Sequence, residues 1–310
     1  MESALSHRRR LFGSTCLLGL WLTAAVLGQA PAAGAPEDVV ETLARATARV
    51  EEYFTRAQSL VCTETVHVQP LSSGLTGDGF GRTVESELRL SWDPGIGGEP
   101  AGEARTRRTV VKVNGQAPRE NDRNNCTGPE QHETEPQPLS MLLAKERDAY
   151  RFSWAGRGRI DRRDAVMIDF RELAELRVTD VREADDNEDC ISYSVTGGMR
   201  GRIWIDAETS DVLRLDQRLG GQVEVPLPKK AARRPGASPS WTIERFDTTM
   251  RFKRVTFAEP QEVLVLPVSS TRMNVTRGAG TPRTRTTTTY SGYKRFLTGG
   301  RIVPGVDAPR

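Results

Sequence analysis

Apolar residues in the first third of the chain fall into a helical rhythm. Val40, Leu43, Ala46, Val50, Tyr53, Phe54, Ala57 and Leu60 recur at steps of three and four residues. That spacing gathers them on one stripe and predicts an amphipathic helix over 37–60. The stripe needs a covering surface, and the next segments supply one, because the period there changes to two. Over 83–92, Val84, Leu88, Leu90 and Trp92 alternate with Glu85, Glu87, Arg89 and Ser91, the pattern of a strand with one dry face and one wet face. Similar runs predict strands over 62–69, 105–113, 149–155, 165–170, 190–196, 201–206, 212–218, 241–257, 262–276 and 283–296, and one short helix over 138–147. Gaps of turn length between strands favour antiparallel pairing, since parallel neighbours need long crossovers. The expected class is mainly β (α+β).

The hairpin at 202–216 can be read to the residue. Ile203 and Ile205 share a face, as do Leu213 and Leu215. Matching these faces sets Ile205 opposite Leu213 and Ile203 opposite Leu215, with a loop over 207–211. The other face then carries Trp204 opposite Arg214 and Arg202 opposite Asp216, a cation over an aromatic ring beside an ion pair.

The start of the chain changes the picture of where this sheet resides. Arg8, Arg9 and Arg10 precede an uncharged apolar run over 11–27, which gives way to Ala- and Pro-rich sequence. This is the pattern of a secretory signal peptide, and the run is shorter than the ~20 apolar residues of a spanning helix. Residues 1–35 are expected to be removed, with the cut between Gln29 and Pro36. Residues 36–300 are expected to form a single β-rich domain, followed by a flexible tail over 301–310. No second apolar stretch approaches membrane length, so the mature chain is not expected to be transmembrane, and its expected location is the periplasm or the outside of a bacterial cell. Removing the signal takes away three arginines and one glutamate, lowering the formal charge from +3 to +1. A nearly neutral chain does not call for nucleic acid as a partner.

Three cysteines remain beyond the signal, Cys62, Cys126 and Cys190. An oxidising compartment favours one disulfide and one leftover thiol. A Cys126–Cys190 bridge is favoured because both lie where polar loops meet strands, and a Cys62–Cys126 bridge stays open as the alternative.

Candidate chemistry is sparse. A serine-class hydrolase needs a base beside its nucleophile. Beyond the signal only His67, in a predicted strand, and His132, in a polar loop, are on offer, and neither adjoins a Gly-x-Ser-x-Gly elbow. The Gly77-Asp-Gly-Phe-Gly81 stretch lacks the lysine and helix start of a phosphate loop and reads as a turn. Asp185, Asp186, Glu188 and Asp189 lack the central glycine and final glutamate of a calcium loop. No catalytic residue, metal site or cofactor is expected. The polar stretches 93–104, 114–137 and 226–239, the last with Lys229, Lys230, Arg233 and Arg234, read as loops or linkers.

The stretch Gly201-Arg-Ile-Trp-Ile-Asp-Ala-Glu-Thr-Ser-Asp-Val-Leu-Arg-Leu-Asp216 resembles the recurrent hairpin of envelope proteins similar to the lipoprotein carriers LolA and LolB and the regulator RseB. Pro138-Leu-Ser-Met-Leu-Leu143 with Tyr150-Arg-Phe152, and the ending from Tyr290 to Arg301, resemble bacterial secreted proteins carrying the same hairpin. The resemblance implies a curved antiparallel half-barrel of about ten or eleven strands, with the N-terminal helix and a short second helix against its concave face. In the carriers that cup encloses acyl chains.

Two functions are compatible with these readings. The first is a non-enzymatic envelope protein that binds a hydrophobic ligand, a lipid or lipoprotein acyl chain, in the cupped sheet. Leu88, Leu90, Trp92, Phe152, Trp154, Ile203, Ile205, Leu213 and Leu215 would face it. The second is a structural or regulatory module that binds another envelope protein through an exposed strand edge. The strand over 283–289, polar on both faces, is expected to be that edge.

Overall fold

A computed structural model describes residues 39–56, 59–91, 105–119, 139–183, 191–233, 236, 238–258, 261–278, 283–296 and 302–307. The expected signal peptide, Trp92, Cys126, His132, the acidic run from Asp185 and Cys190 lie outside the described residues. One helix, α1 (Val39–Arg56), leads into strands β1 (Ser59–Pro70), β2 (Arg82–Ser91) and β3 (Arg105–Val113). A 3-10 turn at Ser140–Leu142 and the short helix α2 (Ala144–Arg147) precede β4 (Tyr150–Ile160), β5 (Arg163–Glu172), β6 (Arg177–Glu183) and β7 (Ile191–Thr196). Strands β8 (Met199–Asp206), β9 (Val212–Leu219) and β10 (Val223–Pro226) come before a single helical turn, α3 (Lys229–Ala232). Four further strands complete the described chain: β11 (Ser240–Phe257), β12 (Glu262–Arg277), β13 (Arg283–Phe296) and β14 (Ile302–Asp307).

The main sheet runs β3-β2-β1-β13-β12-β11-β9-β8-β5-β4, with β10 and β14 attached beside it, while β6 and β7 form a separate hairpin. All of its pairings are antiparallel. The sheet is open, because β3 and β4 at its two ends do not pair with each other. Register shifts interrupt β1, β2–β3, β4, β8–β9 and β11. Each inserts an extra residue on one strand, which bends it and strengthens the local twist, so a long sheet curves instead of lying flat.

The main core lies on one side of this sheet. Ile203 and Ile168 (both 0% exposed) and Leu215 (1%) pack with Leu43, Ala46 and Val50 of α1 and with Leu139, Met141, Leu142 and Leu143. The Thr47 hydroxyl donates to the Leu142 carbonyl at 2.7 Å, joining the two covering elements. A smaller core gathers β6 and β7 over Leu219, Val225 and Ile243.

Several sequence expectations need correction. The helix ends at Arg56, and Leu60 belongs to β1, where it packs opposite Leu90. The run from Leu60 also alternates with period two, and its β-branched residues favour a strand. Val40, expected on the buried stripe, is 73% exposed, and its neighbour Val39 packs against the core instead. One residue is about 100° of helix, enough to move a side chain off the buried face. The expected tail after residue 300 contains β14, which pairs with both β11 and β13. Strands β6 and β10 are not among the expected ones; they are seven and four residues long, with mixed polar content.

The largest correction concerns residues 283–289. Instead of an exposed edge, they form part of β13, which lies inside the sheet between β1 and β12 with Thr284 and Thr288 buried. Polarity is a poor guide here, because threonine is β-branched and fits a pleated surface. Hydroxyl residues also meet across the strands, with Ser269 opposite Thr289, Ser270 opposite Thr288 and Thr271 opposite Thr287, pairs that can hydrogen-bond to one another. Among the described residues the ends of the sheet are β3 and β4. Arg107, Lys112, Arg151, Arg157 and Arg159 are exposed on them, and such charges discourage edge-to-edge association.

Candidate functional site

The hairpin that carries the family resemblance also contributes Ile203, Ile205, Val212 and Leu215 to the main core. Arg202 pairs with Asp216, Ile203 with Leu215 and Trp204 with Arg214, as expected. The register then shifts, and Ile205 meets Val212 instead of Leu213. The bulge turns Leu213 to the opposite side of the sheet, where it packs with Ile160, Ala165 and Trp204. Arg214 does sit over the Trp204 ring, 5.6 Å from its centroid. The expected Arg202–Asp216 ion pair is replaced by two others. Arg202 Nε donates to Asp169 at 2.6 Å, and Arg214 Nε donates to Asp216 at 2.8 Å. Gly201 has a packing reason, since a side chain there would collide with the Asp216 carbonyl oxygen.

The remaining expected ligand residues come together on the core side. Leu88, Ile203, Ile205 and Leu215 are buried in the main core, while Leu90, Phe152 and Trp154 pack against it half-buried. Tyr150 extends this partly open group on the edge strand β4, with its ring 6.2 Å from Phe152 and from Phe170. Helix α1 lies against β4, β12 and the turn at Ser140–Leu142, so the half-buried aromatics lie beside the elements that cover the core. Neither of two surface recesses is lined by the expected ligand residues as a group. The larger, about 460 Å³, lies on the other side of the sheet among Asp169, Arg171, Arg200, Arg202, Asp216 and Arg218. The smaller, about 270 Å³, adjoins Lys253, Val255, Tyr290 and Tyr293.

A charged cluster at the tip of the same hairpin has no counterpart among the sequence expectations. Asp211 has a fully buried side chain, with Arg49 Nε of α1 at 3.2 Å, Arg254 Nε of β11 at 3.5 Å and an Arg163 nitrogen of β5 at 4.0 Å. Asp206 accepts from the Thr209 and Glu208 N–H groups at 2.7 and 3.1 Å and pairs with Arg163 Nε at 2.7 Å. Burial pushes the Asp206 carboxyl up, but the Thr209 hydrogen bonds and the Arg163 charge prevail and hold it below its ordinary value. Its stabilising contribution is therefore present above the unfolded carboxylate pKa and is lost as pH falls through the lowered value. Both carboxylates are occupied by arginines and local donors, so the cluster clamps α1, β5 and β11 to the hairpin tip. Nothing in the alternation of polar residues at 206–211 distinguishes this clamp from a solvated turn.

A second buried polar group surrounds Cys62, which is a free thiol. The Tyr293 hydroxyl donates to the Pro267 carbonyl at 2.5 Å and lies close enough to the Cys62 thiol to couple to it electrostatically. Nearby, Glu64 accepts from Arg108 at 2.8 and 3.2 Å. Burial above all, and then the Glu64 charge, pushes the Cys62 thiol up to about 12. Burial likewise raises Tyr53 and Tyr293. A thiol held protonated is a poor nucleophile. The raised pKa means that the stability it confers is fully present below pH ~9 and is lost as pH rises through ~12. At pH 8 the Cys62 peptide is expected to stay unmodified by iodoacetamide in the native protein and to label fully in denaturant. Mass spectrometry of the labelled peptides checks this, and rapid native labelling of Cys62 would contradict it.

His67 stands on β1 with its Nδ1 3.0 Å from the Thr83 hydroxyl. Among those residues, no helix is long and apolar enough to cross a membrane.

No protein-family profile matches the chain, and no curated protein matches it. Solved structures do. An outer membrane lipoprotein-sorting protein domain from Vibrio parahaemolyticus has 12% identity and a TM-score of 0.41, the match covering 84% of this chain and 94% of that one. A DUF1329 family protein from Desulfovibrio piger has 12% identity and a TM-score of 0.44, with 86% and 95% covered. A LolA superfamily protein from Nitrosomonas europaea has 9% identity and a TM-score of 0.31, with 84% and 94% covered.

Proposed function

We propose that the chain is a non-enzymatic envelope protein that holds a hydrophobic ligand, a lipid or lipoprotein acyl chain, on the helix-covered side of its open sheet. In this reading residues 1–35 direct export, and the mature protein works in the periplasm or outside the cell. The observation that carries the reading is the half-buried apolar group of Leu90, Tyr150, Phe152 and Trp154 beside the main core. Ligand pockets of this type are mostly apolar with few polar groups. A small displacement of α1 and the segment at 139–147 would extend this group into a slot.

Purified protein is expected to bind a fluorescent fatty acid. Phe152→Asp and Leu90→Asp are expected to weaken binding tenfold or more while circular dichroism keeps its β signature. A folded wild-type sample that binds no fatty acid would remove the support for this reading. A second reading is recognition of an envelope protein by strand addition at β3 or β4, where the exposed arginines and lysine that discourage pairing between like edges would select an acidic strand. A partner captured from envelope extract, and lost when β3 is altered while fatty-acid binding persists, would favour it.

A further inference from the structure

On the side of the sheet away from α1, four arginines stand in one row across four neighbouring strands. Arg151 of β4 is opposite Arg171 of β5, Arg171 is opposite Arg200 of β8, and Arg200 is opposite Arg218 of β9. Directly opposed residues share a face, and like charges in such positions destabilise a sheet. All four side chains are exposed. Among the described residues none of the four has an ion pair or a side-chain hydrogen bond. The adjacent row differs, because its carboxylates are already taken: Asp169 by Arg202 and Asp216 by Arg214. Asp247, also beside the recess, is paired with Arg245. The positive charge of the four is therefore not offset by the acids beside it. Arg171, Arg200 and Arg218 all line the recess of about 460 Å³.

We propose that this row is a binding site for a ligand bearing two or more phosphate groups in sequence. Neighbouring strands lie about 4.8 Å apart, so the row spans roughly 14 Å, the reach of a short chain of anionic groups and not of one ion. Guanidinium groups present paired donors that match phosphate oxygens in planar, bidentate contacts. A discrete ligand fits better than a bilayer surface. A flat anionic surface would meet Asp169, Asp216 and Asp247 on the same face, whereas a chain lying along the row meets arginines. The site is on the opposite side of the sheet from the proposed lipid slot and does not depend on it.

The test uses the full chain and inorganic tripolyphosphate, followed by calorimetry at low and high salt. Binding is expected at low salt and is expected to weaken as salt rises. Arg200→Thr and Arg218→Thr are each expected to lower the affinity tenfold or more, the loss of charge-assisted hydrogen bonds. Arg159→Thr, whose wild-type arginine pairs with Asp164 away from the row, is expected to leave binding unchanged. The unliganded Arg200→Thr protein is expected to melt at the same temperature or higher, because threonine suits a strand and a like-charge contact is relieved. The proposal is overturned if the wild-type protein ignores tripolyphosphate at low salt, or if both threonine variants bind as well as wild type. It is equally overturned if phosphatidylglycerol vesicles bind through the row while tripolyphosphate does not, since the occupant would then be a membrane.

Discussion

Replacing Arg108 by alanine is expected to destabilise the protein by about 3–5 kcal/mol, the range for a buried pair that loses one partner. Arg108 is on the edge strand β3 but turns toward the core, where its side chain is 10% exposed and that of Glu64 only 2%. Glu64 keeps its burial when the arginine is shortened, and its two hydrogen bonds are lost. The double variant Glu64→Leu with Arg108→Met separates two explanations. If the pair confers net stability, the double variant falls with the single one. If desolvation cancels the attraction, the double variant is as stable as wild type or more so. The second result is expected, and urea unfolding of the three proteins measures it. An Arg108→Ala protein with wild-type stability would contradict the burial assigned to Glu64.

Asp211→Ala is expected to cost somewhat less, about 2–4 kcal/mol, although it removes a carboxylate with more partners. The difference comes from what is left behind. Arg49, Arg163 and Arg254 have side chains 37%, 34% and 37% exposed, so each can turn part of its charge to water once Asp211 is gone. The loss is also expected to be local. Hydrogen exchange should rise most in α1, whose Arg49 retains its helix-surface partner Glu52 but loses its tie to the hairpin. Uniformly faster exchange across the whole sheet would show that Asp211 acts through the core and not as a clamp on the helix.

Much of the architecture is legible in the sequence because burial has a period. The runs over 105–113 and 283–296 match their strands at both ends, and most others differ by a few residues at one end. Pattern fails where the same residues satisfy two periods, as at Leu60, or where the chain inserts a bulge, as at Leu213 between Val212 and Arg214. A bulge leaves no mark in hydrophobic alternation, so sequence alone cannot separate Leu213 from Leu215. The polarity of 283–289 misleads for a related reason. Strand order is decided by long-range pairing, and threonines suit an interior strand as well as an edge. The row of four arginines is invisible for the same cause, since its members lie far apart in sequence and meet only through register.

The placement of β13 bears on how the molecule is made. Strand β1, the first of the described strands, finds its partner β13 among the last described residues, and β13 also carries the contact between β1 and β12. Until those residues have left the ribosome, the first three strands have no attachment to the rest of the sheet, and the flanks of β1 and β12 stay unsatisfied. Pairings so distant along the chain form slowly, and a nascent chain that cannot yet complete its sheet stays unpaired at β1 and β12 for longer.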